Sequence, residues 1–185
     1  MSRIGRMPIE IPANVKVDIN GDKIVVSGPL GTLEQNLDKS ISAAMGEHNG
    51  KPSLILSRNG EEKEIRSKHG MFRALVHNMV VGVTTGYSKT LVINGVGYKA
   101  AASGSKLTLN VGFSHPVEFT APNGIKLECP SITEVKVSGI NKEIVGQVAA
   151  DIRALKPVEP YHAYGIHYAD ETVIRKEGKK ASKKK

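Results

Sequence analysis

The sequence has little of the chemistry on which most secreted, membrane and catalytic proteins depend. It contains no tryptophan, one cysteine and only 4% aromatic residues. The single thiol, Cys129, excludes an internal disulfide and is typical of a reducing compartment. No apolar run approaches the roughly 18–20 residues that a membrane helix needs, and Met1–Arg6 is not followed by the apolar stretch of a secretory signal. The sequence thus predicts a soluble globular protein with an aliphatic core and no membrane partner.

Groups that could catalyse a reaction or hold a metal are also scarce. His162 and His167 lie five residues apart without carboxylates at metal-ligand spacing, and the acidic residues form no pair with assignable acid and base roles. The remaining histidines considered as ligands are isolated from one another: His69, His77 and His115. Cys129 has no activating neighbour, so we interpret it as a small buried hydrophobe. We therefore expect no enzyme activity, cofactor, metal or small-molecule substrate.

One glycine-rich stretch, Gly95–Ala100, has the pattern of a dinucleotide-binding turn. In that fold the glycines allow the N-terminus of a following helix to approach a pyrophosphate. Here a turn at Ser103–Ser105 and then a strand pattern follow, so the required helix is missing. We predict instead a bulge or bend in a long strand. A nucleotide-dependent enzyme stays a distant alternative, which a dinucleotide-binding assay would decide.

The charge is unevenly placed along the chain. The net charge is +8, of which residues 1–9 contribute +2 and residues 172–185 contribute +6, so the intervening stretch is neutral. Within it, residues 65–117 contain no acidic side chain, whereas residues 10–64 and 118–171 each sum to −3. Like charges grouped in this way indicate an interaction tail or a face that meets a polyanion. The alternative is a solubilising tail with a solvated rim.

The first half of the chain reads as strands followed by a helix. Val15–Ile19 alternates apolar and polar residues as a half-buried strand does, and strands are also predicted at Lys23–Ser27, Thr32–Leu37 and Leu54–Ser57. The segment Asp38–Pro52 shows no clear period and is predicted to be loose. Asn59 is placed to cap a helix, with Glu62 three residues later, and Gly82 is predicted to end it.

The second half repeats this plan. Strands are predicted at Thr90–Ile93, Lys106–Val111, Ile125–Cys129 and Thr133–Ser138. A helix capped by Asn141 and ended by Pro157 follows. A strand ending in serine and a later Arg-Ala-Leu recur about 80 residues apart, with the arginine at 73 and at 153, which indicates duplication, although two generic strand–helix pairs could match by chance.

These patterns predict an α+β fold, a tandem duplication of a small antiparallel β-sheet plus one α-helix, with a basic C-terminal extension. We place the first unit with its basic arm at 1–82, the second unit at 83–156, and a Tyr/His loop with the basic tail at 157–185. Two units of this size have little surface to bury, so we expect them to pack together or against a partner.

Three of the five tyrosines fall within eight residues: Tyr161, Tyr164 and Tyr168. They alternate with two histidines and precede the basic tail. Tyrosine can stack on a base or donate a hydrogen bond to phosphate, while the cations neutralise phosphates with a strong dependence on salt. A tyrosine-rich loop packed on the second unit is the alternative, but it leaves the cations unexplained.

The chain resembles the bacterial type of the large-subunit ribosomal protein L6 family over essentially its whole length. The residues that carry the resemblance are Met1–Arg6, Gly28–Gly31, His69–Leu75, Gly95–Tyr98, Ile144–Ala150, Pro160–Tyr161, Gly165–Ile166 and Tyr168. The resemblance implies a structural, non-enzymatic component of the large subunit that binds 23S rRNA. It implies a position near the sarcin–ricin loop and the stalk base, where translational GTPases dock, with neighbouring ribosomal proteins as further partners.

This sequence departs from the family in the tyrosine loop. The family typically has Lys-Gly-Lys after Pro-Tyr and an arginine before the next aromatic, where this chain has His162, Ala163, Tyr164 and His167. A Tyr164 stack on RNA could compensate for the missing cations, or the loop could bind a protein neighbour.

The predicted rRNA-binding residues are Arg3, Arg6, Tyr161, His162, Tyr164, Gly165, His167, Tyr168, Arg175, Lys176, Lys179 and Lys180. Secondary candidates from the acid-free zone are Arg66, Lys68, Lys89, Lys99 and Lys106. A non-ribosomal RNA-binding chaperone is the main alternative. We expect a bacterial cytoplasmic ribosome as the location, and a plastid-encoded origin would give a similar sequence.

Overall fold

The computed structural model describes residues 3–179, and the chain divides into two compact units. Unit 1 contains the residues up to Tyr87 together with the short segment Ile140–Lys142. Unit 2 contains Ser88–Gly139 and the residues from Glu143 onward. None of the described helices is long and apolar enough to cross a membrane.

Unit 1 is built from two three-stranded sheets and one helix. Its elements are β1 (Ile9–Glu10), β2 (Lys16–Asn20), β3 (Lys23–Gly28), β4 (Gly31–Asn36), β5 (Ile41–His48), β6 (Lys51–Arg58) and α1 (Lys63–Thr84). One sheet has the order β2-β3-β4 and the other β1-β6-β5, and their strand pairs are antiparallel. The hairpin between β2 and β3 closes at Asn20↔Lys23, with Gly21 at φ +60° in the left-handed region that the turn requires.

The core of unit 1 is aliphatic, as the composition predicts. The apolar positions of α1 recur every three or four residues, so they form one face, and the strands contribute alternate residues. The side chains that are fully buried in this core are Ile9, Ile24, Val26, Leu54, Val76 and Val83. Each aliphatic side chain so buried contributes about 1.5–3 kcal/mol.

Unit 2 is built from one three-stranded sheet, one four-stranded sheet and one helix. Its elements are β7 (Tyr87–Asn94), β8 (Lys99–Ser103), β9 (Lys106–Asn110), β10 (Val117–Thr120), β11 (Ile125–Ser131), β12 (Glu134–Gly139), α2 (Lys142–Leu155) and β13 (Gly165–Tyr168). The sheet orders are β10-β9-β8 and β11-β12-β7-β13. The fully buried side chains here include Leu91, Leu107, Leu109, Ile152 and Ile166.

The two units share one strand order, and this confirms the predicted duplication. The meander β2-β3-β4 corresponds to β8-β9-β10, and β1-β6-β5 corresponds to β7-β12-β11. In each unit the helix follows the central strand of the second sheet. The difference is at the edge of that sheet, because β13 pairs antiparallel with β7 along Gly165↔Asn94 to Tyr168↔Leu91, whereas β1 has no such neighbour in the described sheet.

Two predictions about the ends of α1 are wrong. The N-cap is Glu62 and not Asn59, whose backbone N–H donates to the Ser40 carbonyl at 2.9 Å and so continues the pairing of β5 with β6. Gly82 does not end the helix, which continues to Thr84. A Cβ at Gly82 would collide with the carbonyl oxygen of Ile140 in the same unit. Glycine is therefore needed at position 82 because the Ile140 backbone approaches the helix there, and not because the helix ends there.

Three segments predicted as loops or bends also differ from expectation. The segment Asp38–Pro52 contains β5, which pairs with β6 over its whole length. The Tyr/His loop contains β13. Gly95–Gly97 is a turn between two strands of different sheets, and not a bend within one long strand. Gly97 has φ +75°, and a Cβ at Gly95 would overlap the ring of Tyr98, so both positions need glycine.

Candidate nucleic-acid interface

The C-terminal loop, residues 157–164, leads from α2 into β13 and is fixed at its end by Gly165. Gly165 has φ +142°, and a Cβ there would lie 2.7 Å from the Pro157 carbonyl oxygen and from the Val158 Cα. Only glycine fits so close a backbone approach. The next residue, Ile166, is fully buried, and its N–H donates to the Lys156 carbonyl at 2.8 Å. The loop is therefore closed on itself at its base.

The centre of the loop is held by two hydrogen bonds, one of which is accepted by the buried residue Ala163. This residue has φ +62°, a left-handed conformation that glycine adopts more readily than alanine. Its carbonyl accepts a hydrogen bond from the side-chain amide of Asn94 at 2.9 Å. The N–H of Glu159 donates to the Tyr164 carbonyl at 3.0 Å, which closes the loop across its middle. The loop therefore maintains a left-handed conformation at an alanine.

The rings at the tip of the loop are exposed. Tyr161 is 52% exposed and Tyr164 is 37% exposed. The His162 ring stacks on Tyr164 with 5.3 Å between ring centroids and 18° between planes. The Glu159 carboxylate accepts from the His162 backbone N–H at 2.8 Å and lies 3.1 Å from its Nδ1. The fold thus orients the His162 and Tyr164 rings without covering them, and it leaves Tyr161 exposed beside them in sequence.

Tyr168, in contrast, is held by its own unit. Its ring lies 5.4 Å from the Lys89 ammonium and 5.7 Å from the Arg153 guanidinium. Its N–H donates to Glu171, whose carboxylate also accepts from Arg153 Nε at 3.0 Å and Nη2 at 2.5 Å. Hydrogen bonding to Arg153 lowers the pKa of Glu171 and raises the pKa of Arg153. Contacts within unit 2 therefore explain the position of the Tyr168 ring without a ligand. For this tyrosine, the structure agrees with the alternative stated above, in which the tyrosine-rich loop packs on the second unit.

His167 is half-buried in β13 and offers little to a ligand. Its Nδ1 is buried and has no hydrogen-bond partner among residues 3–179. The same is true of His69, whose Nε2 donates to the Leu56 carbonyl at 2.9 Å in unit 1. The His69 ring therefore belongs to the interior of unit 1, whereas the His167 ring is only partly withdrawn from solvent in unit 2.

The basic tail continues beside the loop. The N–H of Lys176 donates to the Pro160 carbonyl at 2.7 Å, which places the tail next to Tyr161. Arg175, Lys176 and Lys179 are exposed, and none of them takes part in an ion pair within the described part of the chain. Lys180 lies outside the described residues. The described part of the tail thus presents three cations and one acidic side chain, Glu177, and none of the three cations forms an ion pair with a described residue.

The basic N-terminal arm is anchored by a side chain of α1. Arg3 and Arg6 are exposed. Arg73 of α1 donates from Nε to the Met7 carbonyl at 3.1 Å and from Nη2 to the Pro8 carbonyl at 3.2 Å. Burial lowers the pKa of Arg73. The arm therefore leaves unit 1 from a fixed point.

The secondary candidates fall into two groups. Arg66, Lys99 and Lys106 are exposed. Lys68 is paired with Asp38 at 3.0 Å and with Glu64 at 2.6 Å, and its pKa is raised by these hydrogen bonds. Lys89 lies 3.5 Å from Asp170 as well as beside Tyr168. The last two cations are therefore largely compensated by the protein itself.

The structure offers little for catalysis. Among residues 3–179 there is no group of three or more histidine, cysteine or acidic side chains that could hold a metal. Cys129 is half-buried, and burial raises the pKa of its thiol, which disfavours the reactive thiolate. The strand β8 follows the Gly95–Gly97 turn, so the helix that a dinucleotide site requires is not there.

The residues that sequence reasoning missed are those that hold the loop and tail in place. Asn94, Glu159 and Glu171 each accept or donate the hydrogen bonds described above. Glu159 could have been found from its position three residues before His162, a spacing that suits a turn. Asn94 bonds to Ala163, which is distant in sequence, and Glu171 bonds to Arg153 and to Tyr168 of β13, a strand that the sequence did not predict. No local sequence pattern therefore identifies either residue.

Comparison with known proteins agrees with the duplicated architecture. A family model described as "Ribosomal protein L6" matches twice, at residues 11–86 and 94–169. The chain is 50% identical over 184 residues to the large ribosomal subunit protein uL6 of Clostridium kluyveri, covering 99% of this chain and 100% of that protein. It is 50% identical to the uL6 of Synechocystis, again over 99% of this chain and 100% of the relative. With the uL6 of Chloroherpeton thalassium the identity is 45% at the same coverage.

The two matches of the family model and the near-complete coverage of several relatives indicate the same family. The chain belongs to the ribosomal protein L6 family, a family of structural proteins of the ribosome and not of enzymes.

Proposed function

We propose that this protein is a structural constituent of the large ribosomal subunit and binds 23S rRNA directly through the C-terminal loop and tail of unit 2. The observation that carries the proposal is the run of exposed, uncompensated cations Arg175, Lys176 and Lys179, tied beside Tyr161 by the bond from Lys176 to Pro160. The names of the relatives support a place in the large subunit.

Phosphate contacts suit these side chains. Each cation that neutralises a phosphate releases condensed counterions, so binding weakens steeply as salt rises. Because the tail leaves the fold at a fixed point, its cations are presented in one region and need less ordering on binding. Gly165, His162, Tyr161 and Tyr164 would contribute by shaping the loop beside the tail.

The N-terminal arm and the acid-free zone would supply secondary contacts. Arg3 and Arg6 project from an arm that Arg73 anchors. Lys99 and Lys106 are exposed and would add to the positive field of unit 2, whereas Arg66 lies beside acidic residues and acts on the Glu61 carboxylate, so it would add less. The cations of Lys68 and Lys89 would add less, because carboxylates already pair with them.

The family resemblance extends the proposal to a location. The rRNA contact would lie near the sarcin–ricin loop and the stalk base, where translational GTPases dock and could touch the protein transiently. Neighbouring ribosomal proteins would be further partners, within a bacterial cytoplasmic ribosome.

The test is incorporation of the full-length protein into ribosomes. We expect the tagged chain to sediment with large subunits on a low-salt sucrose gradient, and a charge-reversal variant, Arg175→Glu with Lys176→Glu and Lys179→Glu, to be depleted there at least severalfold. A matched control reverses Lys16, Lys39 and Lys63, which are exposed in unit 1 and take part in none of its described ion pairs. The control should sediment like the parent.

A non-ribosomal RNA-binding chaperone is the alternative function. It would share the basic ends but would remain near the top of the gradient whether or not the tail is altered. That distribution would contradict the proposal.

A further inference from the structure

The three tyrosines near the C-terminus do not share one role. The Tyr168 ring makes cation–π contacts with Lys89 and Arg153 of its own unit. Tyr161 and Tyr164 remain substantially exposed, although exposing an aromatic ring forfeits the burial that usually stabilises it. An explanation is therefore needed for the two exposed rings and not for the third.

The exposed rings are displayed by an ordered backbone. Gly165 packs against Pro157 and Val158, Ala163 accepts from Asn94, and Glu159 donates across the loop to Tyr164. A ring on a mobile loop would lose conformational entropy when it bound a ligand. Here that cost is already met by the fold, which is the arrangement that favours binding.

Tyr164 is also supported from one side. The His162 ring lies nearly parallel to it at 5.3 Å, and Glu159 fixes His162 through its backbone N–H. A tyrosine backed by a second ring is a stacking surface with a defined orientation. Flat, exposed and rigid aromatic surfaces of this kind are those on which unpaired nucleobases stack.

The charge around the loop identifies the ligand as RNA. Lys176 is tied to Pro160, the residue before Tyr161, and Arg175 and Lys179 are exposed on the same tail. Stacking rings beside uncompensated cations match a nucleotide, which combines an aromatic base with a phosphate. A duplex hides the faces of its bases, so only an unpaired base can use the rings.

We infer that Tyr164, backed by His162 on the loop that also exposes Tyr161, forms a stacking site for an unpaired base of the bound RNA. The loop thus reads a single-stranded feature, while the tail supplies sequence-independent phosphate contacts. This inference rests on the proposed rRNA binding, and it adds that a salt-independent part of the affinity comes from the loop.

The experiment titrates the full-length protein against two RNA probes at several salt concentrations. One probe is a hairpin with unpaired purines in its loop, one of them 2-aminopurine, and the other is a fully paired duplex of equal length. We expect Tyr164→Ala to weaken hairpin binding by about 5- to 150-fold, the range for loss of one stacked base. The salt slope should not change, duplex binding should stay within twofold, and the quenching of 2-aminopurine should be lost.

Matched variants separate stacking from folding and from charge. Tyr164→Phe keeps the ring and should bind the hairpin within twofold of the parent. Lys179→Ala should lower the salt slope for both probes by about one. Circular dichroism melting checks that each variant is folded, and the loop's bond at residue 164 uses the backbone carbonyl, which the substitution retains.

Three results would overturn the inference while leaving rRNA binding intact. They are hairpin affinity unaffected by Tyr164→Ala, an equal loss with Tyr164→Phe, and an equal loss on the duplex. If Tyr164→Ala impaired entry into large subunits but not binding to either RNA, the rings would contact a protein neighbour, which also overturns it. Failure of the parent to bind either probe would instead contradict the proposed function itself.

Discussion

Arg73 of unit 1 and Arg153 of unit 2 occupy the same Arg-Ala-Leu sequence in the helices of the two units, and each anchors a chain end. Arg73 donates to two backbone carbonyls of the N-terminal arm. Arg153 donates two hydrogen bonds to the Glu171 carboxylate, just before the basic tail. The two units therefore share an interaction as well as a strand order. In each unit, the arginine of the helix fixes the point at which a basic segment leaves the unit.

The difference between the anchors lies in the partner. Carbonyl oxygens are neutral and do not titrate, whereas the Glu171 carboxylate makes a charge-assisted, two-pronged bond that depends on its ionisation. Unit 2 also adds β13 and the C-terminal loop between the helix and the anchor. The candidate RNA-binding surface of unit 2 therefore has more elements that hold it in place. Of the two anchoring interactions, only the Arg153–Glu171 pair should weaken when the pH falls.

The largest expected effect comes from the base of the added loop. Gly165→Ala should destabilise the protein by about 2–4 kcal/mol, because the new Cβ meets the Pro157 and Val158 backbone at a positive φ. The control is Gly104→Ala, at φ +62° with nothing within 4 Å of its Cβ, which should cost about 1 kcal/mol. Urea unfolding measures both, and equal costs would show that the close approach at Gly165 does not hold the loop.

Breaking each anchor should release one chain end and not the other. Replacing the arginine by methionine keeps the apolar stem but removes the donors, at an expected cost of about 1 kcal/mol because the sites are partly exposed. Arg73→Met should speed tryptic cleavage after Arg3 and Arg6, and Arg153→Met cleavage after Arg175 and Lys176, read by mass spectrometry. If either substitution released both ends equally, the two anchors would not be independent.

The smallest effect on stability is the acid response of unit 2. Because Arg153 lowers the pKa of Glu171 in the folded protein, the ion pair stabilises the fold above the ordinary carboxyl pKa of 4.5. That stabilisation is lost as the pH falls through the lowered folded value, since both states then bind the proton.

Glu171→Gln should therefore lower Tm by a few degrees at pH 6, and the gap should narrow at a pH below the ordinary carboxyl pKa of 4.5. Glu118→Gln alters an exposed carboxylate that takes part in no ion pair among residues 3–179, and it should show no gap at either pH. A gap for Glu171→Gln that is constant with pH would mean that the bond's stabilising effect does not depend on ionisation.

The sequence predicted those elements whose residue propensities and hydrophobic period match the structure that they adopt in the fold. The hairpin at Asn20–Lys23 and the two helices follow from turn residues and period. β5 was missed because Ala43, Ala44 and Gly46 have low strand propensity, and the strand exists through its pairing with β6. Gly82 was misread as a helix end because its reason, the Ile140 carbonyl, lies 58 residues away in sequence.

The candidate site divides in the same way. The basic tail could be located from charge alone, and the family resemblance marked the loop. Which tyrosines are exposed could not be predicted, because the answer depends on Lys89 and Arg153 meeting Tyr168 in space. For the same reason, charge counting did not show that Lys68 is paired with Asp38 and Glu64.

The most direct test of the central claim, that the end of unit 2 is the principal RNA contact, is the salt dependence of binding to a large-subunit rRNA fragment. Replacing Arg175, Lys176 and Lys179 by alanine should reduce the slope of log affinity against log salt by about two to three. The matched triple alanine variant of Lys16, Lys39 and Lys63 in unit 1 should leave the slope unchanged. An unchanged slope for the tail variant, or an equal reduction in both, would contradict the account.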